Sequence, residues 1–175
     1  VRRLSDNKVF SVGDEVKFDI SRIWRHVTMA EYPEGLKWMT FVDLASWKDS
    51  KRICKNVILT AARDLKNHLW VGRVDAGKFN PTEVIEKLKF HVKTFGSKAF
   101  IEEVGYQIAL RHFAKQDMET AGGFAYTIEA LPTDNRLSAK ALRIESLEPV
   151  VTNGMLHTLF GMTDLILELE DYPYG

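Results

Sequence analysis

Two short apolar runs in this chain end in acid. Trp38-Met39-Thr40-Phe41-Val42 leads into Asp43, and Ala99-Phe100-Ile101 leads into Glu102-Glu103. Runs this short and this rich in β-branched and aromatic residues predict buried strands. A carboxylate at the end of a core strand is costly unless something offsets its charge. A divalent cation is one such partner, and two acids from neighbouring strands could share it. The chemistry to expect is therefore metal-dependent hydrolysis, with Asp43 and Glu102 as catalytic and metal-ligating candidates and Glu103 as a secondary one. Glu102 and Glu103 alternate across a strand, so only one of them can join Asp43. Plainer roles stay open. Asp43 could cap a turn or pair with Lys48 or Lys51, and the glutamates could be a solvated strand end or a helix N-terminus.

Other residue patterns are weaker. Arg136, Lys140 and Arg143 follow i, i+4, i+7 spacing, so one helix face would present three cations to a phosphate backbone or to solvent. Among the five histidines, no two have metal-ligand spacing, and His157 is the one to watch. Gly122-Gly123 lacks the Lys-Ser/Thr of a phosphate loop, and no nucleophile elbow occurs. Trp38, Trp47 and Trp70 read as core.

The elements that must carry these residues follow from the periodicity. Strands are expected over Lys37–Ser46, about Arg52–Leu65 and Leu69–Val74, as an antiparallel meander with a tight link at Lys66-Asn67. Asn80-Pro81-Thr82-Glu83 starts a helix, Val84, Ile85, Leu88, Val92 and Phe95 form its apolar face, and Gly96 ends it. A fourth strand, Ala99–Val104, leads to a helix from about Tyr106, a fifth strand at Phe124–Ile128, and a third helix over about Ser138–Leu147 stopped by Pro149. Asn153-Gly154 predicts a C-terminal β-hairpin within 150–157, and a last helix carries Met162, Leu165, Ile166 and Leu169. Before all this, Glu15–Ile20 alternates like a short strand and 32–35 is a turn, the whole reading as a connector at the domain edge. A meander followed by βαβα units predicts a mixed α/β sheet with helices on both faces. A right-handed crossover can set strand four beside strand one, which brings Asp43 and Glu102 to neighbouring carboxyl ends. That is the ribonuclease H-like architecture.

Composition sets outer bounds. At 175 residues, with 45% hydrophobic and 27% charged residues, the chain suits one soluble domain. Zero formal net charge rules out an overall basic field, so any nucleic-acid surface must be local. A single cysteine excludes an internal disulfide and a cysteine zinc cluster. No stretch reaches the roughly 20 apolar residues of a membrane span. The termini, Val1-Arg2-Arg3 and Tyr172-Pro173-Tyr174-Gly175, read as cut ends within a longer polypeptide.

At these residues the chain resembles the nuclease domain of the large terminase subunit of tailed bacteriophages. Phe41-Val42-Asp43-Leu44-Ala45 resembles that family's first-strand acid motif, and Ile101-Glu102-Glu103-Val104-Gly105-Tyr106-Gln107 its second. The segment from Lys140 to Pro149, followed by Gly154, resembles its Lys-x-x-Arg-Ile-x-x-Leu-x-Pro stretch. Leu169 to Gly175 resembles the lead-in to the last acidic motif, whose third metal-binding Asp would follow Gly175; Asp171 precedes it and is a secondary candidate. The resemblance implies a ribonuclease H-like domain over 37–175, truncated before that motif, with residues 1–36 connecting from a preceding ATPase domain. It implies an endonuclease of the host cytoplasm that cuts concatemeric double-stranded viral DNA with two divalent ions, magnesium or manganese. Arg136, Lys140 and Arg143 would contact DNA, and the small terminase subunit and the portal would be partners. Two alternatives stay open: a ribonuclease H-like module that binds nucleic acid or protein without cutting, and a cellular resolvase or ribonuclease of that fold.

Overall fold

The computed structural model describes residues 18–44, 55–102, 128–131 and 143–172. Seven strands form one mixed sheet: β1 (Trp24–His26), β2 (Trp38–Asp43), β3 (Asn56–Arg63), β4 (Leu69–Gly77), β5 (Lys98–Glu102), β6 (Ile128–Leu131) and β7 (Leu156–Leu159), in the order β1-β7-β4-β3-β2-β5-β6. Among the described residues, helices α1 (Pro81–Phe95), α2 (Glu148–Thr152) and α3 (Thr163–Asp171) accompany them. The run β4-β3-β2-β5-β6 is the ribonuclease H-like order expected from the sequence. The contacts divide the described residues into two compact units, 18–36 with 62–72 and 143–172, and 37–44 with 55–61, 73–102 and 128–131.

In the second unit β2, β5 and β6 run parallel, with Thr40 opposite Ala99, Val42 opposite Ile101 and Glu102 opposite Leu131. Helix α1 forms where its caps predict. Asn80 Oδ1 accepts from the Glu83 amide at 3.0 Å, and Glu83 Oε2 accepts from the Asn80 amide at 2.8 Å, so two orphan donors are satisfied reciprocally. Gly96 closes the helix in the left-handed region, at φ +59°, where a Cβ would be strained. Val84, Ile85, Leu88 and Val92 of α1 pack on Val42, Leu44, Ile58, Ala99 and Ile101 to make this unit's core.

The first unit is built on β7, which pairs in parallel with β1 on one side and with the start of β4 on the other. Its edge strand β1 lies in the stretch expected to be a connector. The alternating pattern at 15–20 does not give a strand over its described part: Ile20–Arg22 is a 3-10 turn capped by Asp19.

The C-terminal β-hairpin is corrected. Pro149 sits in the first turn of α2, where its missing amide costs nothing, and Asn153-Gly154 ends that helix. A type I′ hairpin turn needs positive φ at both central residues. Only Gly154 has it, at +66°, while Asn153 stays at −83°. The chain therefore turns from helix into β7, and β7 finds parallel partners instead of a hairpin neighbour.

Candidate functional site

Asp43 is the last residue of β2 and Glu102 the last of β5. Val42 and Ile101 are register partners, so the two acids follow one step later at adjacent carboxyl ends of parallel strands. Thr40 and Val42 are buried toward the α1 face. Alternation therefore puts Asp43 on the other face with Phe41, whose ring stacks on Phe100 at 5.5 Å. The Asp43 side chain is exposed. An exposed carboxylate is a hard oxygen donor of the kind magnesium and manganese prefer. Among the described residues no group of three or more His, Cys, Asp or Glu side chains could hold a metal ion.

The remaining candidates are scattered. Glu103, Arg136, Lys140, Lys48 and Lys51 lie outside the described residues. Arg143 is exposed on a helical turn at 143–145, and Asp171 is the exposed last residue of α3. His157 is buried on β7, and its neighbours are rings rather than carboxylates.

Two buried polar networks have no counterpart in the sequence reading. In the second unit, His91 of α1 is fully buried and bonds through Nε2 to Asp75 Oδ2 at 2.8 Å. Its Nδ1 meets the Thr60 hydroxyl at 2.7 Å, Thr60 meets Thr40 at 2.7 Å, and Thr40 meets Ser97 at 2.6 Å. Burial pushes the Asp75 carboxyl up, but hydrogen bonds from Arg73 and His91 and the charges of Arg73 and Lys87 outweigh it and hold it down at about 2. Burial dominates at His91 and lowers its pKa despite Asp75. In the first unit, His157 Nδ1 meets His26 Nε2 at 3.0 Å and His157 Nε2 meets His68 Nδ1 at 2.7 Å. The one available signal was His91, which shares the apolar face of α1 with Leu88 and Val92.

No protein-family model matches the chain, and no curated protein is similar to it in sequence. Solved structures do match. The chain is similar to the large terminase nuclease of thermophilic phage G20c, with a TM-score of 0.58 at 11% identity over 89% of this chain and 80% of that one. It is similar to the large terminase nuclease domain of Thermus phage P74-26, with a TM-score of 0.57 at 13% identity over 90% and 78%. The P22 large terminase nuclease domain gives 0.54 at 13% identity over 88% and 76%. The chain thus has the ribonuclease H-like fold of these phage nuclease domains.

Proposed function

We propose that the chain is the nuclease domain of a phage large terminase, an endonuclease that cuts concatemeric double-stranded viral DNA during packaging. The observation that carries this reading is the parallel register of β2 on β5, which supports a shared site for Asp43 and Glu102 at one sheet end. The fold likeness to three terminase nuclease domains adds to it. Asp43 and Glu102 would supply hard oxygen ligands for two divalent ions, magnesium or manganese, with Glu103 as the alternative to Glu102. Such ions, when bound, polarise the phosphodiester and ease deprotonation of a water. The paired strand β2 fixes the backbone of Asp43 beside the end of β5. Arg136, Lys140 and Arg143 orient backbone phosphates, and phosphate contacts carry no base information, so sequence preference is weak.

In the full-length protein, residues 1–36 connect to an ATPase domain, 37–175 belong to the nuclease domain, and the small terminase subunit and portal are partners in the host cytoplasm. Among the described residues no helix is long and apolar enough to cross a membrane.

The test is manganese-dependent nicking of supercoiled plasmid by the full-length protein and its Asp43→Ala variant. Loss of an acid that holds the ions removes several kcal/mol of transition-state stabilisation, so the rate falls about 100-fold or more. Undiminished nicking by the variant overturns the assignment. Wild-type protein that binds duplex DNA but neither binds manganese nor nicks is a binding module instead.

A further inference from the structure

We propose that His26, His157 and His68 form a latch that fixes β1 to the sheet while it holds at most one extra proton, and that a second proton releases β1. This inference stands apart from the nuclease reading.

The geometry is a chain rather than a cage. His157 uses opposite ring nitrogens for its two partners, Nδ1 toward His26 Nε2 at 3.0 Å and Nε2 toward His68 Nδ1 at 2.7 Å. The three rings therefore cannot converge on one ion. His157 also sits between two indoles. Its register partners are Trp24 on β1 and Trp70 on β4, with ring centroids at 6.3 and 3.7 Å and planes 11° and 14° from parallel.

Counting hydrogens gives the latch its capacity. Each N···N contact at these distances holds one hydrogen and no more. Two contacts hold two. The outer nitrogens, His26 Nδ1 and His68 Nε2, can carry one each, so the intact chain accommodates four. Three neutral imidazoles already carry three. One added proton therefore enters the vacant outer nitrogen, with every contact kept. The next must put two hydrogens into one contact and break it.

A carboxylate stands near each end of the chain. Glu31 Oε2, from the turn at 29–31, lies 3.4 Å from His26 Nδ1. Asp64, at the β3–β4 turn, accepts from the His68 amide at 2.9 Å and from Trp70 Nε1 at 3.0 Å. Tyr32 meets His26 edge-on and donates its hydroxyl to the Val71 carbonyl. On β1 itself Arg25 is engaged elsewhere, donating to the Phe160 carbonyl at 2.6 Å. Burial, and then the charge that His26 and His68 gain, push His157 down to about 4, which agrees with a chain that resists further protons.

Edge strand β1 is three residues long and, among the described residues, pairs with β7 alone. So short a strand holds on by its side chains. Free imidazoles titrate near 6.5. Once released, the three histidines take up two more protons than the latch can hold. Below pH 6.5 the ratio of latched to released β1 therefore falls toward a limit of about 100-fold per pH unit, and the dependence fades as pH rises toward 8.

Amide hydrogen exchange between pH 5 and 8, corrected for the intrinsic rate, reads this ratio at 24–26 and at Phe160, whose amide bonds the His26 carbonyl. Imidazole nitrogen shifts in the same samples count the protons. The expected result is protection at β1 that falls with a two-proton slope while α1 amides do not follow it. His68→Gln, and separately His26→Gln, lower the limiting slope to about tenfold per pH unit, because two histidines lose one proton of capacity instead of two. Protection at β1 that tracks α1, or a slope the variants leave unchanged, overturns the proposal.

Discussion

The two buried histidine networks solve one problem with different chemistry. His91 is wedged between a carboxylate and a hydroxyl, whereas His157 is wedged between two imidazoles. A hydroxyl exchanges donor and acceptor roles by rotating, so Thr60, Thr40 and Ser97 can reorder their hydrogens around His91 at little cost. An imidazole exchanges roles only by moving a proton between its nitrogens. Asp75 also gives His91 a fixed negative neighbour, itself clamped by Arg73 Nε at 2.8 Å and Lys87 at 3.6 Å. The first unit has acids only at the outer ends of its chain. The network around His91 should therefore hold its contacts across the pH range in which the network around His157 gives way.

Removing the carboxylate strikes this contrast hardest. Asp75→Ala leaves His91 Nε2 buried with no acceptor and strips Arg73 and Lys87 of their shared partner. A buried donor left unpaired costs about 1–3 kcal/mol, measurable as a lowered urea midpoint. The acid limb changes too. Asp75 is held at about 2 against an ordinary 3.8, so its contribution is whole above pH 3.8 and is lost as pH falls toward 2. The variant should lack that decline. If its acid limb matches the wild type, Asp75 does not anchor the network.

Thr40→Val is the next largest. Valine keeps the shape but deletes the hydroxyl that joins Thr60 to Ser97, both buried. Two hydrogen bonds go, and a loss of about 1–2 kcal/mol is expected in the same denaturation. His91 should keep its neutral tautomer, since Thr60 can still donate to Nδ1. A change in His91 nitrogen shifts would mean that the hydroxyls are less free to reorder than the comparison supposes.

What the sequence revealed follows the range of the forces involved. Asn80-Pro81 and Gly96 mark α1 because capping is settled within one turn of helix. The apolar runs before Asp43 and Glu102 mark β2 and β5 because strand burial repeats every second residue, and so the proposed site was visible as two acids. Their parallel pairing followed from topology. Asn153-Gly154 misled because a helix end and a hairpin both recruit a left-handed glycine, and only the angle at Asn153 separates them. Strand β1 carries three residues of pattern, too few to show a period, and its partner β7 lies far along the chain. The histidine chain was beyond reach for the same reason: His26 and His157 are 131 residues apart, and His68 and His157 are 89. Spacing rules for ligands look within one helix or loop and cannot register contacts made by sheet order.

The smallest expected effect concerns Glu31, and it tests the direction of the imidazole chain. Glu31 Oε1 accepts from the Val27 and Thr28 amides at 2.8 and 3.0 Å, and Oε2 faces His26 Nδ1. A carboxylate there calls for a hydrogen on His26 Nδ1. His26 Nε2 must then accept from His157 Nδ1, and His157 Nε2 must accept from His68 Nδ1. The neutral chain so ordered leaves the lone pair at His68 Nε2, where the first extra proton can enter. Glu31→Gln keeps the two backbone hydrogen bonds, since the amide oxygen can serve both, and removes the charge. Stability at pH 7 should not change resolvably, because the carboxylate is solvated. The hydrogen order is then free to reverse, and His26 should shift toward its Nε2–H form with His68 following. Imidazole nitrogen chemical shifts at pH 7.5 separate the two tautomers. Unchanged tautomers in Glu31→Gln would show that the rings, with Trp70 stacked on His157, fix the order by themselves.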